Sequence, residues 1–333
     1  MASRYEGLFE GLVPRRPTLE RRVLLNHIRG YGVAVMFIAM FVALAITTPA
    51  FLTTDNLRNL LEQSTQIGLI ACGATLVIIA GQFDLSSGAI YSFAGVVAIV
   101  VAGESTVVLG MLAGLVSGVV IGFANGLLVT RVGIDSFLAT LASGFVLVGL
   151  GIVVASGSGT VRTTAVDFDL LGRGSAFSLK YEAYALVGVT ILAWFVLRFT
   201  AFGRQIYAVG GNLEAARVAG VKVGQVRALT LVIGGLTAAL AGLLQTSEIR
   251  IAQVDSGVSL TLPAIAAVII GGTSVAGGRG GVWRTLIGVL FVTMVGNGFN
   301  LLRIDSVYQS IFTGGIIVLA VGVDSWSKLS SRS

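Results

Sequence analysis

The sequence is poor in charge. Asp, Glu, Lys and Arg make up 11% of its 333 residues, where a soluble domain carries roughly 25%. So few charges cannot cover a water-facing surface, and lipid is the solvent that tolerates such a composition. Cysteine occurs once, as Cys72 in an apolar run, and histidine once, as His27 in a basic leader. A disulfide within the chain is excluded, and so is a His/Cys metal cluster; Cys72 reads as a small packing residue. No Gly-Lys pair occurs anywhere. A phosphate loop needs one to hold phosphates and Mg²⁺, so the chain is not expected to hydrolyse ATP itself. No nucleophile–base pair or metal set is evident either, which argues against an enzyme.

What is abundant is apolar. Hydrophobic residues make 55% of the chain, and the mean hydropathy is +0.93. A bilayer-spanning helix needs about 20 such residues. The pattern predicts an all-α integral membrane protein of about ten transmembrane helices, with a leader at 1–29 and one membrane domain at 30–325. The expected spans are Tyr31–Ala50, Leu57–Ala80, Leu85–Ala102, Val107–Val129, Ser136–Ala155, Tyr184–Arg198, Val226–Thr246, Leu260–Ala276, Val282–Leu302 and Val307–Val323. The first run is too long for a cleaved signal.

Net charge is +6, but the basic residues cluster at the ends of apolar runs rather than on an aromatic-interleaved face. That excludes nucleic acid and fits the positive-inside bias. Arg15, Arg16, Arg21, Arg22 and Arg29 hold the leader in the cytoplasm, and Lys328 and Arg332 do the same for the tail. Both termini are expected inside, with a cytoplasmic loop at 200–225.

The second span is the weakest, because Glu62, Gln63, Ser64, Thr65 and Gln66 open it. A charge at mid-bilayer costs about 2.5–3.5 kcal/mol. Glu62 therefore sits at an interface or faces the bundle interior.

Polar residues recur at one offset. Gln82-Phe83-Asp84 matches Gln253-Val254-Asp255, Asn125-Gly126 matches Asn297-Gly298, and Arg131, Asp135 and Gly144 match Arg303, Asp305 and Gly314, all 170–172 positions apart. The offset carries the fourth span to the ninth. An odd shift reverses membrane orientation, so the halves would be inverted repeats, a recurring plan in transporters.

Gly110, Gly114, Gly118, Gly122 and Gly126 stand on one face of the fourth span and predict a close helix–helix seam. The run Gly271–Gly281 reads as a flexible turn. In the loop Gly203–Val221, Gly210-Gly211 break the chain and Asn212 caps a two-turn helix, Leu213–Ala219, with Glu214 in its first turn and Gly220 as its stop.

These residues carry a resemblance. Glu214-Ala215-Ala216 followed by Gly220 resembles the docking loop of ATP-binding cassette (ABC) importer permeases. Gly203-Arg204, Tyr207-Ala208, Gly210-Gly211-Asn212 and Ala215-Ala216-Arg217 are similar to the ribose-type, or monosaccharide, branch. Gly81–Gly88 and Ala266–Gly280 resemble two further segments of that family, with Gln82 where the family has glycine. The resemblance implies a fold like the vitamin B12 permease, with two inverted five-helix halves. It implies a partner ATPase that holds ATP and Mg²⁺, a soluble extracytoplasmic sugar-binding protein, and a second permease subunit, identical or not, in a bacterial inner membrane. Asn212, Glu214, Ala215, Ala216, Arg217 and Gly220 would then form the ATPase-coupling element, and this chain would bind no cofactor.

For the substrate path, Gln66, Asp84, Asn125, Asn297 and Asn300 supply the donors and acceptors that sugar hydroxyls need. Asp84 is also placed to cap the third span. Helix–helix bonding explains each amide equally well. Branched-chain amino acids or nucleosides are alternative cargoes. An ion-coupled carrier is less favoured, because buried carboxylate or histidine relays are nearly absent. The loop Ser156–Glu182 meets a binding protein or merely connects.

Overall fold

The computed structural model describes residues 35–305 except 178, together with 307–309, 311, 312, 314, 315 and 318. The expected leader, the start of the first span, most of the tenth span and the basic tail lie outside the described residues.

The chain forms α1 (Val35–Thr47), α2 (Thr54–Ile79), α3 (Ser87–Glu104), α4 (Val107–Leu127) and α5 (Ser136–Val154). Then come the short β1 (Thr160–Arg162), α6 (Leu170–Arg173), β2 (Ser175–Ala176) and β3 (Leu179–Lys180). The remainder is α7 (Tyr181–Phe199), α8 (Ala201–Gly211), α9 (Leu213–Val218), α10 (Val223–Ile249), β4 (Ile251–Gln253), α11 (Val258–Ile270) and α12 (Val282–Leu301). Among the described residues seven helices are long and apolar enough to cross a membrane: α2, α3, α4 with its π-helical extension to Val132, α5, α7, α10 and α12. The apolar α1 and α11 are shorter. The expected eighth span, Leu260–Ala276, is too long. It ends at Ile270 because Gly271-Gly272 turn the chain, Gly272 at φ +84°, a conformation that favours glycine.

Burial orders the bundle. In the most apolar 18-residue window, 78% of α2 is buried against 22% for α4 and for α5. Helices α2, α3 and α10 therefore form the centre. Leu112, Val116, Val120 and Phe123 of α4 and Phe145, Val146 and Val153 of α5 face outward, as a lipid-facing surface requires. Of the polar start of α2, Ser64 and Thr65 are buried, Glu62 and Gln66 partly buried and Gln63 exposed, so the helix enters the bundle at that level.

Packing between the two ends of the chain is reciprocal. Helix α10 packs against α3 and α4, while α2 packs against α11 and α12. The glycine face of α4 forms a seam: Cβ atoms on Gly118 and Gly122 would strike the backbone of Gly235 and of Leu231 and Val232 on α10. Close backbone approach replaces hydrophobic drive as the source of helix association in lipid.

A second glycine contact joins three loops. Gly210 of α8 lies against the end of α2, where a Cβ would overlap the Ile79 carbonyl oxygen. Gly278 donates its N–H to that same oxygen at 2.9 Å. Gly277 packs on Gly81 and Gly210, and Gly278 on Gly211. The Gly271–Gly281 segment is thus a packed connector rather than a flexible turn. Tyr207 Oη donates to the Gly280 carbonyl at 3.0 Å, and Ser274 N to the Arg279 carbonyl at 2.9 Å. Gly210 and Gly211 do not break the chain: both remain in α8.

Gly210→Ala should lower stability by about 1–3 kcal/mol, the cost of overpacking. Gly211→Ala, whose Cβ meets nothing within 4 Å, should cost nothing and gain up to about 1 kcal/mol. Thermal unfolding in detergent distinguishes them, and equal shifts would contradict the junction.

Candidate functional site

Helix α9 is built from its cap. Asn212 takes an extended conformation, φ −158° and ψ 103°, and its Oδ1 accepts from Ala215 N at 2.9 Å. Gly220, at φ +81°, ends the element. Ala216 alone is buried inward, while Glu214, Ala215, Arg217 and Val218 are exposed, Val218 at 88%. Arg217 Nη1 donates to Glu214 Oε1 at 2.9 Å and Oε2 at 3.1 Å across one turn. The result is a short helix with an apolar tip and one ion pair, standing clear of the bundle. Beside it lies a surface cleft of about 680 Å³ whose charged lining is Asp135, Arg217, Lys222 and Arg227.

The glycine junction connects this element to the bundle. α8 leads into α9 at Asn212 and touches the end of α2 through Gly210. The segment Gly81–Ser86 then links α2 to α3. Its Gln82 donates Nε2 to the Arg227 carbonyl and to Thr230 Oγ1, both at 3.0 Å, on α10. The residue that departs from the family pattern thus ties the α2–α3 break to α10. Asp84, 5% exposed, accepts through Oδ1 from Ser86 N at 2.9 Å and Ser86 Oγ at 2.5 Å. Asn125 Nδ2 of α4 donates to the same Ser86 Oγ at 2.9 Å. Ser86, not Asp84, occupies the cap position of α3; Asp84 supports it from two residues upstream.

The opposite end of the bundle carries its own polar cluster. Lys180 Nζ bridges Glu62 Oε2 at 2.7 Å and Glu248 Oε1 at 2.6 Å. Burial pulls the Lys180 ammonium down, and the two carboxylates outweigh it, so its pKa lies above the ordinary lysine value. Residues 156–177 form a cover over this end. β1 pairs antiparallel with β4, Val161 opposite Ala252. Ser247 Oγ accepts from Gly172 N at 2.9 Å and donates to the Phe168 carbonyl at 2.7 Å. Arg250 pairs with Asp169 at 2.8 Å and holds that carboxyl below the usual carboxylate range.

Residues 56–321 match the family model described as branched-chain amino acid transport system / permease component. The chain belongs to that family. The permease is 42% identical to the ribose import permease protein RbsC of Bacillus subtilis strain 168, a match covering 86% of this chain and 91% of the relative. It is 35% identical to the L-arabinose ABC transporter permease protein AraH of Azospirillum brasilense, covering 95% and 94%. It is 37% identical to RbsC of Escherichia coli K12, covering 86% and 92%. No solved structure matches the permease. With seven apolar helices of spanning length, it is a multi-pass membrane protein.

The five residues suggested for a path are distributed differently from one another. Asp84 and Asn125 meet through Ser86. Gln66 Oε1 accepts from Tyr91 Oη at 3.3 Å. Asn297 forms a reciprocal amide pair with Asn56 of α2, at 2.8 and 3.1 Å, and both are buried. Asn300 is exposed. Sequence reasoning placed Glu62 at an interface or facing the bundle interior but missed Lys180 and Glu248 as its neighbours, because Lys180 lies 118 positions away and charge counting carries no pairing.

The Asp169–Arg250 tie should respond to pH in one direction. A carboxylate whose folded pKa is depressed contributes fully above its unfolded value, near about 3.9, and loses that contribution as pH falls through the folded value. Hydrogen exchange of segment 163–173 should rise as pH drops from about 5 toward 3, with intrinsic-rate correction. In Asp169→Asn the exchange should be fast already at the higher pH and show no such step.

Proposed function

We propose that this chain is the membrane-spanning permease subunit of an ATP-driven importer for a monosaccharide or related polyol. It performs no catalysis. A separate ATP-binding cassette subunit, carrying ATP and Mg²⁺, binds α9, and an extracytoplasmic binding protein delivers the cargo. A second permease subunit, identical or paralogous, completes the path. The carrying observation is the motif Glu214-Ala215-Ala216 with Gly220, raised on a capped, exposed two-turn helix in a chain related to ribose and arabinose permeases along most of its length. Those relatives favour sugar over the branched-chain amino acid of the family description.

We further assign a ten-helix plan in two inverted five-helix halves, similar to the vitamin B12 permease, with both termini cytoplasmic. The reciprocal packing of α10 on α3–α4 and α2 on α11–α12 supports it. Nucleotide closure of the ATPase pair would move α9. Gly210 then transmits that movement to the end of α2 and to the Gly277-Gly278 connector without an intervening side chain to absorb it. In this scheme Asp84, Asn125 and Asn297 hold helices together, and Gln66 stands nearest the polar cluster at the far end.

Glu214→Ala removes only an exposed ion pair, worth less than about 1 kcal/mol. Gly220→Val imposes a left-handed conformation that costs roughly 1–2 kcal/mol. Both variants should still reach the membrane. In proteoliposomes with the ATPase and binding protein, uptake should fall by on the order of ten-fold. Wild-type uptake by both variants would remove α9 from the coupling role.

A further inference from the structure

The far-end cluster contains a buried carboxyl oxygen with no hydrogen-bond partner among the described residues. Glu182, in the first turn of α7, is 1% exposed, and its Oε1 has no hydrogen-bond partner among the described residues. It faces the charges of Glu248, Lys180 and Glu62. Lys180 already donates to the other two carboxylates. On α10, Gln245 stands one turn before Glu248, and its Oε1 is likewise buried without a partner among the described residues.

The register of α2 and α10 brings these groups to one level. Gly73 abuts Thr237, and Lys180 links Glu62 to Glu248. The helices therefore run antiparallel there, with Gln66 and Gln245 at matching heights in between. Tyr91 of α3, already bonded to Gln66, closes the same side. Glu62, two turns into α2, and Ile79, its last residue, are about 26 Å apart at 1.5 Å per residue. If α9 faces the ATPase, this cluster faces the compartment from which cargo arrives.

Free buried oxygens call for donors. The unpartnered carboxyl and amide oxygens are acceptors, and leaving a buried acceptor unpaired is costly. A monosaccharide is a compact array of hydroxyl donors. The Glu62 and Glu248 carboxylates against the one Lys180 ammonium leave a net negative charge, which opposes a carboxylate-bearing cargo. Among the described residues no group of three or more His, Cys, Asp and Glu side chains is arranged to hold a metal ion. We propose that Glu182 and Gln245 form the permease's own sugar-recognition site, accepting hydroxyl hydrogen bonds from a monosaccharide as it enters from the binding protein. This assignment rests on the sugar-importer reading above and adds selectivity within the membrane subunit.

The test is uptake of radiolabelled D-ribose, L-arabinose and L-leucine by the full complex in proteoliposomes, with wild type and Glu182→Gln. The expected result is sugar uptake by wild type, and in the variant a KM raised roughly ten- to hundred-fold, the range for weakened hydrogen bonds to a charged group. A structural role would instead lower the amount in the membrane and the maximal rate with KM unchanged. Sugar uptake by wild type with KM unchanged in Glu182→Gln overturns the site and leaves the importer reading intact. Leucine uptake, or no uptake of the three, overturns both. Gln245→Leu is measured alongside with the same criteria, and decides the matter should Glu182→Gln fail to reach the membrane.

Discussion

The contact between the Gly210 backbone and the Ile79 carbonyl is the constraint on which the α9 end of the molecule depends. A glycine there lets α8 reach the end of α2 with no side chain between them. The same oxygen receives the Gly278 N–H, so one carbonyl anchors both α8 and the α11–α12 connector. Three polar backbone segments are thereby sealed against one another, which matters where water is scarce and each unsatisfied group is expensive. α9 follows α8 at Asn212, and so is joined through Gly210 to the most buried helix in the bundle.

The same economy explains the polar side chains inside. Asn125 with Ser86 and Asp84, and Asn56 with Asn297, are paired within the bundle, and the Gln82 amide nitrogen is taken up by Thr230. Each joins segments distant in sequence, and each would be a liability if left alone in lipid. Glu182 Oε1 and Gln245 Oε1 depart from this pairing, as the Gln82 Oε1 also does, and they alone of these lie beside the Lys180 cluster.

Periodicity and composition made the long spans legible, as well as the α4 seam and the Asn212 cap, since these depend on local spacing alone. The Gly210-Gly211 pair was read as a break, yet it lies in α8. A glycine's tolerance of every conformation hides whether it serves a turn or a close approach, and only the position of Ile79 decides. The second span looked weak because Glu62 through Gln66 dilute its hydropathy. Its central place, which makes them acceptable, arises from long-range packing. Asn297 was left between lining a path and bonding another helix for want of its partner: Asn56 lies 241 positions away, and no pattern in one sequence connects the two.

The α4 seam also sets an order of assembly. Its glycine face is completed by α10, which is synthesised much later in the chain. During synthesis α4 must enter the bilayer with a bare backbone groove against lipid tails or against α3, and the groove closes only when α10 arrives. β1 likewise waits for β4 to supply its hydrogen bonds. The second part of the chain therefore finishes the first, and a ribosome-bound fragment that stops before α10 holds a bundle with one of its three central helices still missing.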